Sequence, residues 1–276
     1  MTSSQVLATS PVAATRYSLL LTTDPDEVES AQRLRHHVFA GELGAALHSP
    51  SPGLDIERFD AFCDHLLVRD DRTGEVVGTY RVLPPARARA AGALYAEGEF
   101  DLSALAPLRP GLVETGRSCV HPAHRNGAVI GLVWAGLGRY MVLTGHRWLL
   151  GCASVPLVDG GALAASVWEQ VRRRHLVSED RRTRPYLPWS AGSAQSAGSA
   201  GSAGSAGSAG SAGSAQSAAR QLPIPPLLRG YLRLGAQVCG PPAFDPDFDC
   251  ADFLVLLDVH GMDGRYARFL GLGEGG

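Results

Sequence analysis

The chain is expected to form an α/β fold, a mixed central sheet with helices on both faces. Three observations carry this. Short apolar strands alternate with amphipathic helices from Tyr17 to Pro188. Two of those strands, HLLVRD (His65 to Asp70) and EVVGTYRVL (Glu75 to Leu83), flank the turn residues Asp71-Arg72-Thr73-Gly74, so part of the sheet must be antiparallel. A third run, DFLVLLDV from Asp252 to Val259, is too long and apolar for an open edge and belongs inside the sheet.

In order, YSLLLTT (Tyr17 to Thr23) reads as a strand. Asp24 then supplies an N-cap and Pro25 a first helical residue, with Val28, Leu34, Val38 and Phe39 as the apolar face of the helix that follows. After the hairpin comes a strand over GLVETGRSCV (Gly111 to Val120). A helix runs from about Asn126 to Leu143, amphipathic through Ile130, Trp134, Leu137 and Met141. WLLGCASV (Trp148 to Val155) is a buried strand, and ALAASVWEQVRRRHL (Ala162 to Leu176) a helix whose basic end suits its dipole.

Between 189 and 220 the sequence is dominated by Ala-Gly-Ser repeats, which cannot bury enough apolar surface to offset their ordering entropy. We therefore expect a flexible N-terminus (1–16), a core (17–188), a disordered tether (189–220), a C-terminal helix and strand that complete the core (221–262), and a tail (263–276).

Composition excludes several functions. A net charge of -2 leaves no nucleic-acid footprint. Five cysteines without CxxC spacing signal neither a disulfide framework nor a zinc ribbon. All 25 basic residues are arginine, which removes the lysine that P-loop NTPases, protein kinases and pyridoxal-phosphate enzymes require. With no leader or spanning segment in the sequence, a soluble, cytoplasmic protein is expected.

The stretch ETGRSCVHPAHRNGAVIG (Glu114 to Gly131) joins a strand to a helix through a basic, glycine-containing turn. The free amides of a helix's first turn attract anions. With Arg125 alongside and Gly127 permitting close approach, Val120, His121, Arg125, Asn126, Gly127 and Ala128 form a candidate cradle for a phosphate or pyrophosphate. His121 and His124 lack further ligands at useful spacing, so no metal is expected.

This strand-turn-helix element resembles the acyl-donor-binding element of the GNAT acyltransferases, although Arg125-Asn126-Gly127-Ala128 has one glycine where two are common. Further blocks follow in order: RLRHHVF (Arg33 to Phe39), DIERFD with CDHLLV (Asp55 to Val68), VGTYRVLPP (Val77 to Pro85), GCASVP (Gly151 to Pro156) and the segment from Pro225 to Val259. Together they resemble the ornithine lipid N-acyltransferases (L-ornithine N-alpha-acyltransferases), and the first four in chain order, from RLRHHVF through ETGRSCVHPAHRNG, also resemble the acyl-homoserine-lactone synthases. The resemblance implies a GNAT fold and transfer of a 3-hydroxy fatty acyl group from acyl carrier protein, or acyl-CoA, to the α-amine of an amino acid such as ornithine. No permanently bound cofactor is implied. The lyso-aminolipid product implies peripheral contact with the inner membrane face.

Amide formation from a thioester needs a neutral amine, a proton path and donors for the oxyanion. Asp55, Glu57, Asp60 and Asp64 cluster before the hairpin, with Glu57 and Asp60 as candidates for gripping and deprotonating the amine. Glu114 and Arg117 would point to opposite faces of a regular strand, and a bulge near Gly116 would bring them together. Arg33, Arg35 and Arg81 either bind the acceptor's carboxylate or brace the first helix, and His65 beside Asp64 could relay a proton. Trp134 and Met141 are expected in the core rather than along an acyl tunnel, although one wall of a core can also line a tunnel. A lactone synthase, and a catalytically silent GNAT module, remain open.

Overall fold

The computed structural model describes residues 5–9, 16–191 and 221–262. In chain order these form β1 (Gln5–Thr9), β2 (Tyr17–Thr22), α1 (Pro25–His36), β3 (Asp64–Asp70), β4 (Val76–Leu83), α2 (Pro85–Ala91), β5 (Phe100–Asp101) and β6 (Leu112–Val120). There follow α3 (Ala128–Thr144), β7 (Trp148–Pro156), α4 (Ala162–Arg174), β8 (Arg184–Pro185), α5 (Pro226–Arg233), β9 (Gln237–Val238), β10 (Ala243–Asp245) and β11 (Cys250–Asp258).

The main sheet runs β1-β2-β3-β4-β6-β7-β11-β10, with β9 also on β11, and is mixed because β6 and β7 are parallel while their neighbours are antiparallel. β11 lies between β7 and β10, where its apolar sequence requires it. Side chains on one face, such as Leu19, Leu66 and Val68, pack with Val133, Leu137 and Met141 of α3. On the other face Leu20 and Leu67 pack with Ala31 of α1. This is the two-residue alternation of a strand buried on both sides. The architecture is that of the GNAT fold.

Local signals act as expected at the start of α1, where the Asp24 side chain accepts from Asp26 N (3.0 Å) and Glu27 N (3.4 Å). The helix ends earlier than its apolar pattern suggests: His37–Glu42 is a π-helical turn, which still buries Val38 and Phe39. Gln5–Thr9, expected to be flexible, instead pairs antiparallel with β2. Most of the expected Ala-Gly-Ser tether (192–220) and the whole tail (263–276) lie outside the described residues. Among the described residues no helix is long and apolar enough to cross a membrane.

Two irregularities create the site. β6 and β7 are in register only from Leu112 to Glu114 against Trp148 to Leu150, after which both strands run on without registered pairs and splay apart. Across β4, Thr79 pairs with Cys119 and Arg81 with Gly116, so Arg117 and Ser118 together face the single Tyr80. This is the bulge anticipated near Gly116. Its left-handed residue is Arg117, at φ +52°, a conformation that costs a non-glycine residue free energy and is concentrated at functional sites.

Candidate active site

The splay opens a cavity of about 280 Å³ whose walls include Glu114, Arg117 and Ser118 of β6 and Cys152 and Ser154 of β7. On one side it shares Ser118 and Leu227 with a groove of about 430 Å³ that reaches Val120, Arg125 and Gly127. On the other it shares Tyr95, Arg117 and Asp245 with a cavity of about 560 Å³ lined by Asp55 and Glu57. The expected cradle and the acids before β3 are therefore joined by continuous walls.

Glu114 sits at the point where the strands part. It is 4% exposed and accepts backbone hydrogen bonds from Tyr95 N (2.6 Å) and Ala96 N (2.8 Å). Burial pushes its carboxyl up to about 7, with those amides and Arg81 only partly offsetting the rise. It can thus exchange a proton near neutrality. Arg117 faces the same cavity, its guanidinium 5.1 Å from the Tyr95 ring centre and 3.4 Å from Asp55. The bulge therefore brings Glu114 and Arg117 to one cavity.

Asp60 behaves differently. It is buried and accepts from Arg35 Nη2 (2.7 Å), Gln32 Nε2 (3.0 Å), Arg81 Nη1 (3.2 Å) and Glu57 N (3.1 Å). Burial alone would raise its carboxyl, but the guanidiniums of Arg35 and Arg81 outweigh it and hold the group well below the usual carboxylate range. The expectation that Asp60 takes a proton is corrected: its lone pairs are committed to the network that fixes α1 against β4. Glu57 lines the larger cavity while holding Arg81 at 2.6 Å, and Arg81 lines the throat beside Glu114.

Three further expectations are corrected. Arg33 is exposed and pairs with Glu29 one helical turn away, at 2.5 Å, on the outer face of α1. Asp64 accepts from Tyr140 Oη (2.9 Å) and pairs with Arg87 (3.0 Å), outside the cavities described above, because the first residue of β3 projects toward α3 and α2. His65 is fully buried with Nε2 against the Asp60 carbonyl oxygen (3.1 Å), a position without access to the acceptor cavity. Arg35 braces, with Nε on Asp55 at 2.9 Å.

At the cradle α3 begins at Ala128, two residues later than expected, with Gly127 at φ +89°. That left-handed geometry is open to glycine at little cost. Asn126 Oδ1 caps the Ala128 amide (3.0 Å). Arg125 is not free: it donates to Val120 O (3.0 Å) and forms a two-pronged pair with Glu42 (2.6 Å to each oxygen). His121 Nδ1 accepts from Ala123 N, and its ring stacks on His37 at 5.2 Å. His124 Nδ1 meets Tyr17 Oη at 2.9 Å.

Trp134 packs against the core, as expected, and also lines both the cradle groove and a narrow apolar cavity of about 40 Å³ between α3, α5 and the sheet. That cavity meets the throat at Tyr80, Thr115, Cys152 and Tyr231. Tyr231 stacks on Trp134 (5.5 Å), and Gly230 permits this contact because a Cβ there would stand 2.0 Å from the indole. Met141 stays in the core.

Sequence reasoning missed Tyr95, Glu99, Cys152, Asp245 and Asp252. Nothing local marks them, since they come from four separate stretches that only the folded sheet assembles. Burial, reinforced by Glu99 and Asp252, pushes the Cys152 thiol up, so it remains protonated and is a poor nucleophile.

A domain model described as Acetyltransferase (GNAT) domain matches residues 34–135. An L-ornithine N(alpha)-acyltransferase of Rhizobium meliloti is 33% identical over 267 residues, covering 90% of this chain and 82% of that protein. One from Rhodobacter capsulatus is 34% identical over 262 residues, covering 92% of this chain and 94% of that protein. Among solved structures, FeeM, an N-acyl amino acid synthase from uncultured soil microbes, superposes with a TM-score of 0.50 at 12% identity, covering 89% of this chain and 92% of that one. The last likeness concerns the fold alone.

Proposed function

We propose that this chain, which belongs to the family of GNAT-fold acyltransferases that includes the L-ornithine N(alpha)-acyltransferases, acylates the α-amine of a free amino acid such as ornithine. The donor in this reading is a 3-hydroxyacyl thioester of acyl carrier protein, and the product is a lyso-aminolipid released at the cytoplasmic face of the membrane. Acyl transfer from a thioester to an amine is the general reaction of the family. The observation that carries the finer reading is Glu114, a buried carboxyl raised to about 7 at the throat between the donor groove and the acceptor cavity.

The donor's pantetheine arm lies between the splayed ends of β6 and β7, its phosphate end toward the amides at Gly127 and its hydrocarbon toward Trp134 and Tyr231. The acceptor enters from the cavity lined by Glu57 and Arg117. Glu114 takes the ammonium proton, and the free amine attacks the thioester carbonyl. The bulge at Arg117 and Ser118 turns main-chain amides out of the β4 ladder, where they support the oxyanion. Collapse of the tetrahedral intermediate breaks the C–S bond, and the departing thiolate regains a proton. A protonated Cys152 favours this direct route over an acyl-enzyme.

The test incubates the purified chain with 3-hydroxyacyl carrier protein and ornithine, followed by mass spectrometry. Acyl-ornithine is expected. No acyl amide with any amino acid would overturn the reading, and a homoserine lactone formed from S-adenosylmethionine would replace it.

A further inference from the structure

We propose that Glu99 and Asp252 form the subsite that receives the side-chain ammonium of a diamino-acid acceptor and so set acceptor specificity. The inference rests on the N-acyltransferase reading above and assigns to it two residues that carry no part in the acyl-transfer chemistry.

Glu99, Cys152 and Asp252 each bring one polar atom to within 4.8 Å of the others. Asp252 lines the throat at 4% exposure; its carboxyl hydrogen-bonds with Ser154 and Glu99 and accepts a weak bond from Cys250 Sγ (3.5 Å), none of them a cation. Glu99 lines the adjoining cavity, and its Oε2 is buried without a hydrogen-bond partner. Asp245 lines both cavities. Among the described residues no arginine forms an ion pair with any of these acids; Arg117, whose charge acts on Glu99, reaches Asp55 instead.

Other buried carboxylates, Glu114 apart, are matched by guanidiniums, as Asp55 and Asp60 are by Arg35 and Asp70 is by Arg16. Burial raises both acids, reinforced by Asp252 at Glu99 and by Asp245 at Asp252, while hydrogen bonds from Ser154 and Glu99 only partly offset the rise at Asp252, so the pair retains a proton that an arriving cation would displace. An acid pair, one member buried and the other half-buried, without a cation of its own is suited to one carried by the substrate.

The spacing fits. Glu114 holds the amides at the start of the 3-10 turn Tyr95–Gly98, and Glu99 follows its end. Such a turn rises about 2 Å per residue, which separates its two ends by roughly 8 Å. An extended diamino acid with three methylenes carries its nitrogens roughly 6 Å apart by ordinary bond lengths. With its α-amine at Glu114, its terminal ammonium falls in the region of Glu99 and Asp252.

The experiment compares ornithine with norvaline, the same skeleton without the terminal nitrogen, as acceptors for the full chain and for Glu99→Gln and Asp252→Asn. The wild type is expected to favour ornithine in kcat/KM. Each variant is expected to lower that ratio by roughly 10- to 100-fold, through a raised KM for ornithine. Circular dichroism checks the fold, and Glu99→Gln, outside the sheet, serves if Asp252→Asn does not fold. A wild type indifferent between the acceptors, or a folded variant that keeps the ratio, overturns the subsite alone. Acylation of neither acceptor overturns the underlying reading as well. Stabilisation of the wild type but not the variants by zinc or manganese, with the acceptor ratio unmoved in the variants, assigns the cluster to a metal and also overturns it.

Discussion

Two sets of buried or half-buried acids lie within this fold, and they are held in opposite ways. Asp55 and Asp60 face Arg35 and Arg81, and Asp60 is held ionised by them. Glu114, Glu99 and Asp252 form no ion pair among the described residues, and burial raises all three. The first set spends its charge on holding α1 to the sheet. The second keeps its protonation open to whatever enters the cavity. Burial alone does not mark a functional acid; burial without a counter-charge does.

The largest effect should separate the two sets through Glu114. Glu114→Gln keeps the shape and one of the two backbone hydrogen bonds, since its amide nitrogen cannot accept the other, and it cannot take a proton, so kcat should fall by about 10²- to 10⁴-fold. The pH profile carries the sign. A carboxyl raised to about 7 is protonated below that pH and cannot act as a base, so wild-type kcat/KM should decline as pH drops through about 7. The variant should lack that limb. A profile identical in both proteins would move the proton transfer elsewhere.

Next comes the paired set. Arg35→Ala leaves Asp55 and Asp60 buried beside an empty space, and breaking a buried pair in this way costs about 3–5 kcal/mol. Urea unfolding reads this directly. A loss below about 1 kcal/mol would mean the network is not structural and would erase the contrast with Glu114.

How much of this was legible in the chain depends on the range of the forces involved. The Asp24 cap, the hairpin at Gly74 and the insertion of β11 follow from local patterns, because a strand's two-residue period and a helix's orphan amides act over a few residues. The acids from Asp55 to Asp64 stood out by being adjacent, yet adjacency said nothing about their arginine partners. Glu99, Asp245 and Asp252 are brought together by the pairing of β10 with β11 and the approach of the Tyr95–Gly98 turn, which no local window contains. The bulge was anticipated from Gly116, but the residue that adopts the unusual backbone is Arg117, since the register with β4 and not glycine content decides where the extra residue sits.

A smaller effect is expected at the cradle. Arg125 is partly exposed and shared with Glu42, so Arg125→Gln should raise the donor's KM several-fold while moving stability by less than about 1 kcal/mol. A donor KM unmoved by the change, in steady-state assays with acyl carrier protein as donor, would leave the main-chain amides at Gly127 as the whole anion site.

The smallest effect belongs to Arg33, and it sharpens the comparison because Arg33 and Arg35 are neighbours on α1. Residues two apart on a helix point to nearly opposite sides, so one guanidinium is buried among acids while the other lies on the surface with Glu29. An exposed pair one turn apart stabilises a helix by about 0.3–0.5 kcal/mol. Arg33→Ala should therefore shift the unfolding midpoint barely above error and leave the acceptor's KM where it was. If KM rises instead, the outer face of α1 touches the substrate, and pairing would no longer separate structural charges from those that meet it.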